Sequence, residues 1–108
     1  MAWRVGWTEA ALEDLSATAQ YIARDSARYA STFTRNAFAA SDTLTEFANC
    51  GRGVPEFGDQ SIRELFLGSH RMIYQVTAER VLILGLVHGA RDLAAMWLRE
   101  KRKDEGEP

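Results

Sequence analysis

The sequence predicts an α+β fold, a two-layer sandwich with an N-terminal strand, an α-helical hairpin and then a three-stranded antiparallel meander. Two amphipathic stripes of helical period follow each other with only a short break, which is typical of a helical hairpin. Three extended segments with short turns come afterwards, and short connections favour antiparallel pairing. Because the helices must bury their apolar stripes, we expect them to cover one sheet face and to leave the other face open.

An N-terminal strand and a first helix are predicted at the start of the chain. Trp3, Val5 and Trp7 alternate with a charged residue and a glycine, which indicates a half-buried strand. Thr8 is placed to cap a helix, and Glu9 lies in the first turn, where its charge complements the helix dipole. Apolar residues then recur at steps of three and four to about residue 24, at Leu12, Leu15, Ala19 and Ile22.

A second helix is predicted to begin immediately after the first. Asp25 and Ser26 are capping residue types, and they interrupt the first stripe. The second stripe comprises Tyr29, Phe33, Ala37, Ala40, Leu44 and Phe47. We assign five aromatic residues of the chain to the core, namely Trp3, Trp7, Phe33, Phe47 and Tyr74.

A long loop and three strands complete the predicted fold. The glycine and proline content of residues 49–59 indicates a loop, and loops of that length are often functional. Strands are predicted over residues 62–67, 71–76 and 81–88, with turns between them. Arg71, on the second of these strands, is expected on the open sheet face. That face is therefore a candidate binding surface.

Composition predicts one domain over residues 1–98, followed by a charged C-terminal tail over residues 99–108. The chain shows neither a membrane-spanning apolar run nor a signal peptide, so we expect a cytoplasmic protein with no membrane partner. The single cysteine, Cys50, excludes an internal disulfide. The net charge of −2 argues against binding by broad phosphate neutralisation, so we expect no direct DNA binding by this chain.

Several short motifs occur in a distinctive order. They are WTEAALEDL at residues 7–15, YIARDS at 21–26, GRGVPEF at 51–57, IREL at 62–65, RMIYQV at 71–76 and HGARD at 88–92. In this order and spacing they resemble the RelE/ParE superfamily of bacterial toxins, and the resemblance covers residues 3–93. The opening motifs are most similar to those of ParE-type members.

The resemblance implies a β-α-α-β-β-β fold and the toxin role in a type II toxin–antitoxin pair, without a cofactor or a metal. The implied partner is a cognate antitoxin whose C-terminal segment wraps the toxin and which carries the DNA-binding function. RelE-like members cleave mRNA in the ribosomal A site, whereas ParE-like members inhibit DNA gyrase and are not nucleases. Related chains are often described as plasmid stabilisation proteins.

A nuclease of this kind would need a general base, cations near the scissile phosphate and a general acid. The resemblance places Arg71 near that phosphate and Arg91 near a second basic position, and His88 could transfer a proton near neutral pH. The lysine-rich segment and the tyrosine of RelE are absent, and Trp97, the nearest aromatic residue, cannot transfer a proton. These absences favour a gyrase inhibitor over an endoribonuclease. A third alternative is a degenerate member that binds an antitoxin without being toxic.

The predicted target-binding residues are Arg63, Arg71, Arg91, Arg99, Lys101 and Arg102. Structural roles remain open alternatives for most of them. Arg63 could pair with Glu64 or with an acidic residue of a neighbouring strand. Arg71 could be a surface charge or a partner for acidic residues of the antitoxin. Arg91 could pair with Asp92, which could cap a short helix that extends to residue 98. The basic segment 99–103 could equally be a solvated helix end.

The histidines also have a structural alternative. His70 is predicted at the edge of a hairpin, and His88, at the end of an apolar strand, is compatible with a purely structural role. Because the two histidines are distant in sequence and Cys50 lies in a loop, the sequence predicts no metal site.

Overall fold

The computed structural model describes residues 3–88, and within that range the chain forms two helices and five strands. In chain order these are β1 (Arg4–Trp7), α1 (Glu9–Ala23), α2 (Ala27–Thr43), β2 (Arg52–Gly53), β3 (Ile62–Leu67), β4 (His70–Val76) and β5 (Arg80–His88). The predicted strand, helical hairpin and meander are therefore confirmed. The predicted short helix after Asp92, the domain boundary at residue 98 and the charged tail lie outside the described residues.

Both helices begin at the hydroxyl residues that the sequence predicted as caps. The Thr8 side-chain oxygen accepts a hydrogen bond from the backbone N–H of Ala11 at 3.1 Å, and Ser26 accepts one from Tyr29 at 3.1 Å. A cap of this kind stabilises a helix by about 1 kcal/mol. Neither helix of the described range is long and apolar enough to cross a membrane.

The second helix ends before its apolar stripe does. Thr43 is its last residue, and Leu44, which caps it, is fully buried. Phe47 lies beyond the following turn and is 61% exposed, so its predicted core position is wrong. The reason is that a spacing of three and four residues fixes a common face only while the chain stays helical.

The described strands form one sheet in the order β1-β5-β4-β3-β2. β3, β4 and β5 are antiparallel neighbours, as predicted, and β1 joins the free edge of β5 in parallel. β2 is a two-residue strand within the segment predicted as a loop, and it pairs with β3. A bulge in β5 shifts the register, because Ile73 is opposite Gly85 whereas Tyr74 is opposite Ile83.

The helical hairpin covers one face of the sheet, which we call the inner face. Met72 and Tyr74 of β4 and Val81 and Ile83 of β5 are fully buried there. Helix residues pack against them, including Ala11, Leu15, Ala37 and Leu44. Alanines at these helix positions let the helices approach the sheet closely, so the two predicted layers form a continuous core.

The opposite face, which we call the outer face, is not open as predicted. It carries a second buried apolar cluster of Val54, Ile62, Ile73, Leu84 and Val87, with Phe57 packed against it. Val54 and Phe57 come from the segment between β2 and β3, so this segment folds back over the sheet. Arg71 lies on this face, as expected, but only 6% of its side chain is exposed. The expectation of an open face around Arg71 is therefore wrong.

Candidate functional site

A cluster of four charged side chains lies on the outer face. Glu64 of β3 is at its centre, with a fully buried side chain. Arg71 Nε donates to Glu64 Oε1 at 2.6 Å, and Arg52 Nε donates to Glu64 Oε2 at 2.5 Å. The two terminal nitrogens of Arg71 donate to the carboxylate of Glu56, each at 3.1 Å. Both oxygens of the buried carboxylate are thus paired with arginine.

Contacts within this cluster shift the pKa values of Glu56 and Arg71. The hydrogen bond from Arg71 lowers the pKa of Glu56 below its ordinary value. In return, the hydrogen bond to Glu56, followed by those to Glu64, raises the pKa of Arg71 against the opposing effect of burial. The charged forms are therefore the stable ones, and the cluster ties the β2–β3 segment to β3 and β4.

Hydrogen bonds to backbone groups hold the residue before β2 next to the charged cluster. The backbone N–H of Gly51 donates to the buried Tyr74 hydroxyl at 2.9 Å, and Arg63 donates to the carbonyl oxygen of Gly51 at 2.8 Å. Burial raises the pKa of Tyr74. Arg63, which was predicted to contact a target or pair with Glu64, instead donates to backbone carbonyl oxygens. Within residues 3–88 the ion-pair partners of Glu64 are Arg52 and Arg71, and not Arg63.

A cleft of about 1000 Å³ lies between the helical hairpin and the β3–β4 turn. The side chains of Tyr21 and Tyr29 lie on its helical side and are mostly exposed. Phe66, also exposed, lies on its sheet side, but its position opposite Arg71 directs the ring to the outer face, where Arg52 lies over it at 5.1 Å. No carboxylate, lysine or arginine occurs among the cleft residues of the described chain. The cleft is therefore an accessible, aromatic and uncharged surface.

Both histidines line one end of this cleft. His70 and His88 occupy opposite positions on β4 and β5, and their ring centroids are 4.8 Å apart. The His70 ring also contacts the Phe33 ring of α2, with centroids 5.1 Å apart. Burial, and secondarily the nearby His88, lowers the pKa of His70. The histidines are thus distant in sequence but in contact in the fold.

The structure separates the residues that were predicted to act together in catalysis. His70 and Arg71 are consecutive on β4, so their side chains point to opposite faces of the sheet. Arg71 lies on the outer face with Glu64, whereas His88 contacts His70 beside helix α2. Arg91, Arg99, Lys101 and Arg102 lie outside the described residues, so their predicted roles stay predictions.

The family model for the ParE toxin of the type II toxin–antitoxin system parDE matches residues 5–93 of the chain. The chain belongs to this ParE toxin family. The match includes the helical hairpin, the sheet, the charged cluster and the cleft. It thereby confirms the resemblance seen in the sequence motifs. Among curated proteins, none matches the chain significantly.

Solved structures agree with the ParE assignment at the level of the fold. A structure of the chromosomal ParDE toxin–antitoxin system of P. aeruginosa is similar with a TM-score of 0.67 and 22% identity, over 82% of this chain and 97% of that one. A structure of the RelBE2 toxin–antitoxin complex of Mycobacterium tuberculosis is similar with a TM-score of 0.54 and 18% identity, over 82% and 99%. At these identities the likeness shows the shared α+β fold alone.

The contacts of Glu56 and Arg52, and that of Glu64 with Arg71, were not predicted from the sequence. Glu56 and Arg52 were not recognised as partners of the strand residues, and nothing local in the sequence indicates how a loop folds over a sheet. The pairing of Glu64 with Arg71 did have a signal. The two-residue turn at Gly68 and Ser69 sets Phe66 opposite Arg71, and this register brings Glu64 to the same face, diagonally adjacent.

Proposed function

We propose that this ParE-family toxin inhibits DNA gyrase and is neutralised by a cognate antitoxin. The family membership supports this target, because the resemblance associates ParE-like members with gyrase. One structural observation favours gyrase over the alternative, ribosome-dependent cleavage of mRNA. Arg71 and His88 lie on opposite faces of the sheet, so they are too far apart to act on one phosphate.

A metal-free nuclease needs its cation and its proton-transfer group at the same phosphate. In this fold a phosphate beside Arg71 would be on the outer face, whereas His88 is on the inner side. The same phosphate would also face the carboxylates of Glu56 and Glu64, and their negative charge would repel it. A role for Arg71 in holding the outer face together accounts for these contacts without catalysis.

The test of the target is a DNA supercoiling assay with purified gyrase and the full chain. We expect inhibition that increases with toxin concentration and that the antitoxin reverses. A parallel assay measures cleavage of ribosome-bound mRNA. Cleavage there with no effect on gyrase would contradict the proposal and establish the nuclease alternative. Normal growth on expression without antitoxin, together with inactivity in both assays, would indicate a degenerate, non-toxic member.

The role of Arg71 needs a variant that keeps the fold. Arg71→Ala alone would leave the buried Glu64 carboxylate with only Arg52, so loss of activity would not distinguish catalysis from misfolding. The double variant Glu64→Leu with Arg71→Met replaces the buried pair by apolar side chains of similar volume, a change that is often close to neutral. We expect this variant to remain toxic. Loss of toxicity with an unchanged unfolding temperature would instead make Arg71 a functional residue.

The basic C-terminal segment is the remaining candidate for contact with gyrase. We propose that Arg99, Lys101 and Arg102 contribute to target binding, because they concentrate positive charge in a chain whose net charge is −2. Replacing all three by glutamine is expected to weaken gyrase inhibition and to leave antitoxin affinity unchanged. Equal losses of both activities would argue against a role specific to the target.

We propose that the antitoxin's C-terminal segment occupies the cleft between the hairpin and the β3–β4 turn. Support comes from the exposed aromatic side chains on its walls, because a cluster of exposed apolar groups marks an interaction surface. Tyr29→Ala is expected to weaken antitoxin binding about tenfold or more, the loss typical of an aromatic anchor. Phe47→Ala is the matched control, because Phe47 is equally exposed but does not line the cleft. Equal effects of the two changes would contradict this placement.

A further inference from the structure

We propose that His70 and His88 form a binding site for one divalent transition-metal ion of the zinc class. The inference depends on the geometry of these two residues and is independent of the target of the toxin. The two positions are direct partners on antiparallel strands, so both side chains point to the same side of the sheet. The backbone thus fixes the two imidazoles next to each other.

The distance between the rings suits a shared metal ion. Their centroids are 4.8 Å apart and their planes are inclined by 59°. A tetrahedral zinc ion with bonds of 2.0–2.1 Å needs two ring nitrogens about 3.3 Å apart. Because ring nitrogens lie off the ring centroids, two imidazoles with centroids 4.8 Å apart can face nitrogens toward each other at about that separation.

The surroundings of the pair also suit a metal ion. His88 is exposed and both residues line the cleft, so an ion can enter from solvent. No carboxylate of the described chain lines the cleft, so the imidazoles do not form ion pairs there. The contact with Phe33 holds the His70 ring in place from the helical side.

Two histidines leave two coordination positions of a tetrahedral ion unfilled. Residues 3–88 contain no group of three or more histidine, cysteine or acidic side chains that could supply them. As far as residues 3–88 supply ligands, water completes the coordination. Such a site binds more weakly than a structural zinc site with four protein ligands. It also faces the cleft, so an occupant of the cleft would meet the ion directly.

The experiment is a titration of the untagged full chain with Zn²⁺ near pH 7.5, followed by NMR of the imidazole ring protons. The sequence contains only two histidines, so the Hε1 signals of the two rings can be followed separately. We expect both signals to shift together along one saturable 1:1 curve. A shift of only one ring, or no saturation at millimolar Zn²⁺, would overturn the proposal.

Variants then separate chelation from binding to one side chain. His88→Asn is expected to weaken Zn²⁺ binding about 100-fold or more, because the second ligand acts at high effective concentration. Cys50→Ser is the control, since Cys50 is the exposed thiol of the described chain and lies outside the cleft. Zn²⁺ at tenfold excess over Kd should raise the unfolding temperature of the wild type by about 6–11 °C. An unchanged shift in His88→Asn, or loss of binding in Cys50→Ser, would contradict the assignment.

Discussion

The two faces of the sheet are buried by different means. The inner face is covered by two helices, and its buried strand residues are apolar apart from the hydroxyl of Tyr74. The outer face, over β3 and β4, is covered by the segment between β2 and β3, and it buries the charged Glu64 and Arg71 beside an apolar cluster. A helical layer fills space with many side chains, whereas a short irregular segment brings few. Specific ion pairs and hydrogen bonds therefore fix that segment in place.

This difference predicts opposite responses to substitutions that preserve volume. Glu64→Gln keeps the shape of the side chain but removes its charge, which leaves Arg71 and Arg52 without the carboxylate they share. Breaking one side of a buried ion pair costs about 3–5 kcal/mol. On the inner face, Met72→Leu also preserves volume, and such exchanges usually cost less than about 1.5 kcal/mol. Urea unfolding of the two variants and the wild type gives the free energies of unfolding to compare.

A second variant tests whether the unpaired buried charge is what destabilises the outer face. Glu64→Leu combined with Arg71→Met should recover most of the stability that Glu64→Gln loses, because no unpaired buried charge remains. Glu56 and Arg52 keep enough contact with water to remain charged, with 43% and 59% of their side chains exposed. If the double variant is less stable than Glu64→Gln, apolar side chains cannot replace the ion pair. The pair would then add stability to the outer face, and would not merely compensate for the cost of burying its two charges.

The attachment of the chain just before the covering segment provides the next comparison, between the two glycines on either side of Arg52. A Cβ atom at Gly51 would lie 2.6 Å from the carbonyl oxygen of Glu64 and would collide with the Tyr74 hydroxyl, whereas a Cβ at Gly53 would meet nothing within 4 Å. Gly51→Ala should therefore destabilise the protein by about 1–3 kcal/mol. Gly53→Ala should leave it within about 1 kcal/mol of the wild type.

Thermal unfolding of the two alanine variants checks this prediction. Loss of stability in Gly51→Ala should be accompanied by faster hydrogen exchange at the Gly51 amide, because that N–H loses its acceptor on Tyr74. Equal stability of both variants would mean that the segment adjusts to the extra methyl group and is attached less firmly than the contacts indicate.

The inner face was predictable from the sequence because local patterns determine it. Thr8 and Ser26 mark helix starts through their own side chains, and the alternation of Met72 and Tyr74 with Arg71 and Ile73 defines the two faces of β4. These signals need only neighbouring residues. They gave the order of elements, the hairpin and the antiparallel meander correctly.

The outer face and the histidine pair were not predictable in the same way. The contact of Glu56 with Arg71 depends on how a loop folds in three dimensions, and no periodicity encodes that path. The pairing of His70 with His88 depends on the register across the β5 bulge, which inserts one residue that a regular hairpin would not contain. The predicted core position of Phe47 was wrong for a related reason, because helix α2 ends before the spacing pattern does.

The smallest expected effect on stability comes from acid titration of Glu56, the solvent-accessible carboxylate of the charged cluster. Arg71 lowers the pKa of Glu56 in the folded protein, so the folded state holds this proton less tightly than the unfolded state. The resulting stabilisation is fully present above the unfolded pKa of about 4.3 and is lost as the pH falls through the lower folded pKa. Because Glu56 is 43% exposed, we expect only about 0.2–1 kcal/mol.

The measurement compares urea unfolding of the wild type and Glu56→Gln at pH 7 and at pH 3. Other carboxyl groups titrate in both proteins and largely cancel in the difference, so the difference reports on Glu56. The wild type should be the more stable protein at pH 7, and the gap should narrow at pH 3, below the unfolded pKa. A gap that persists at pH 3 would mean that Glu56 holds the segment by packing, as inner-face residues do, and not by its charge.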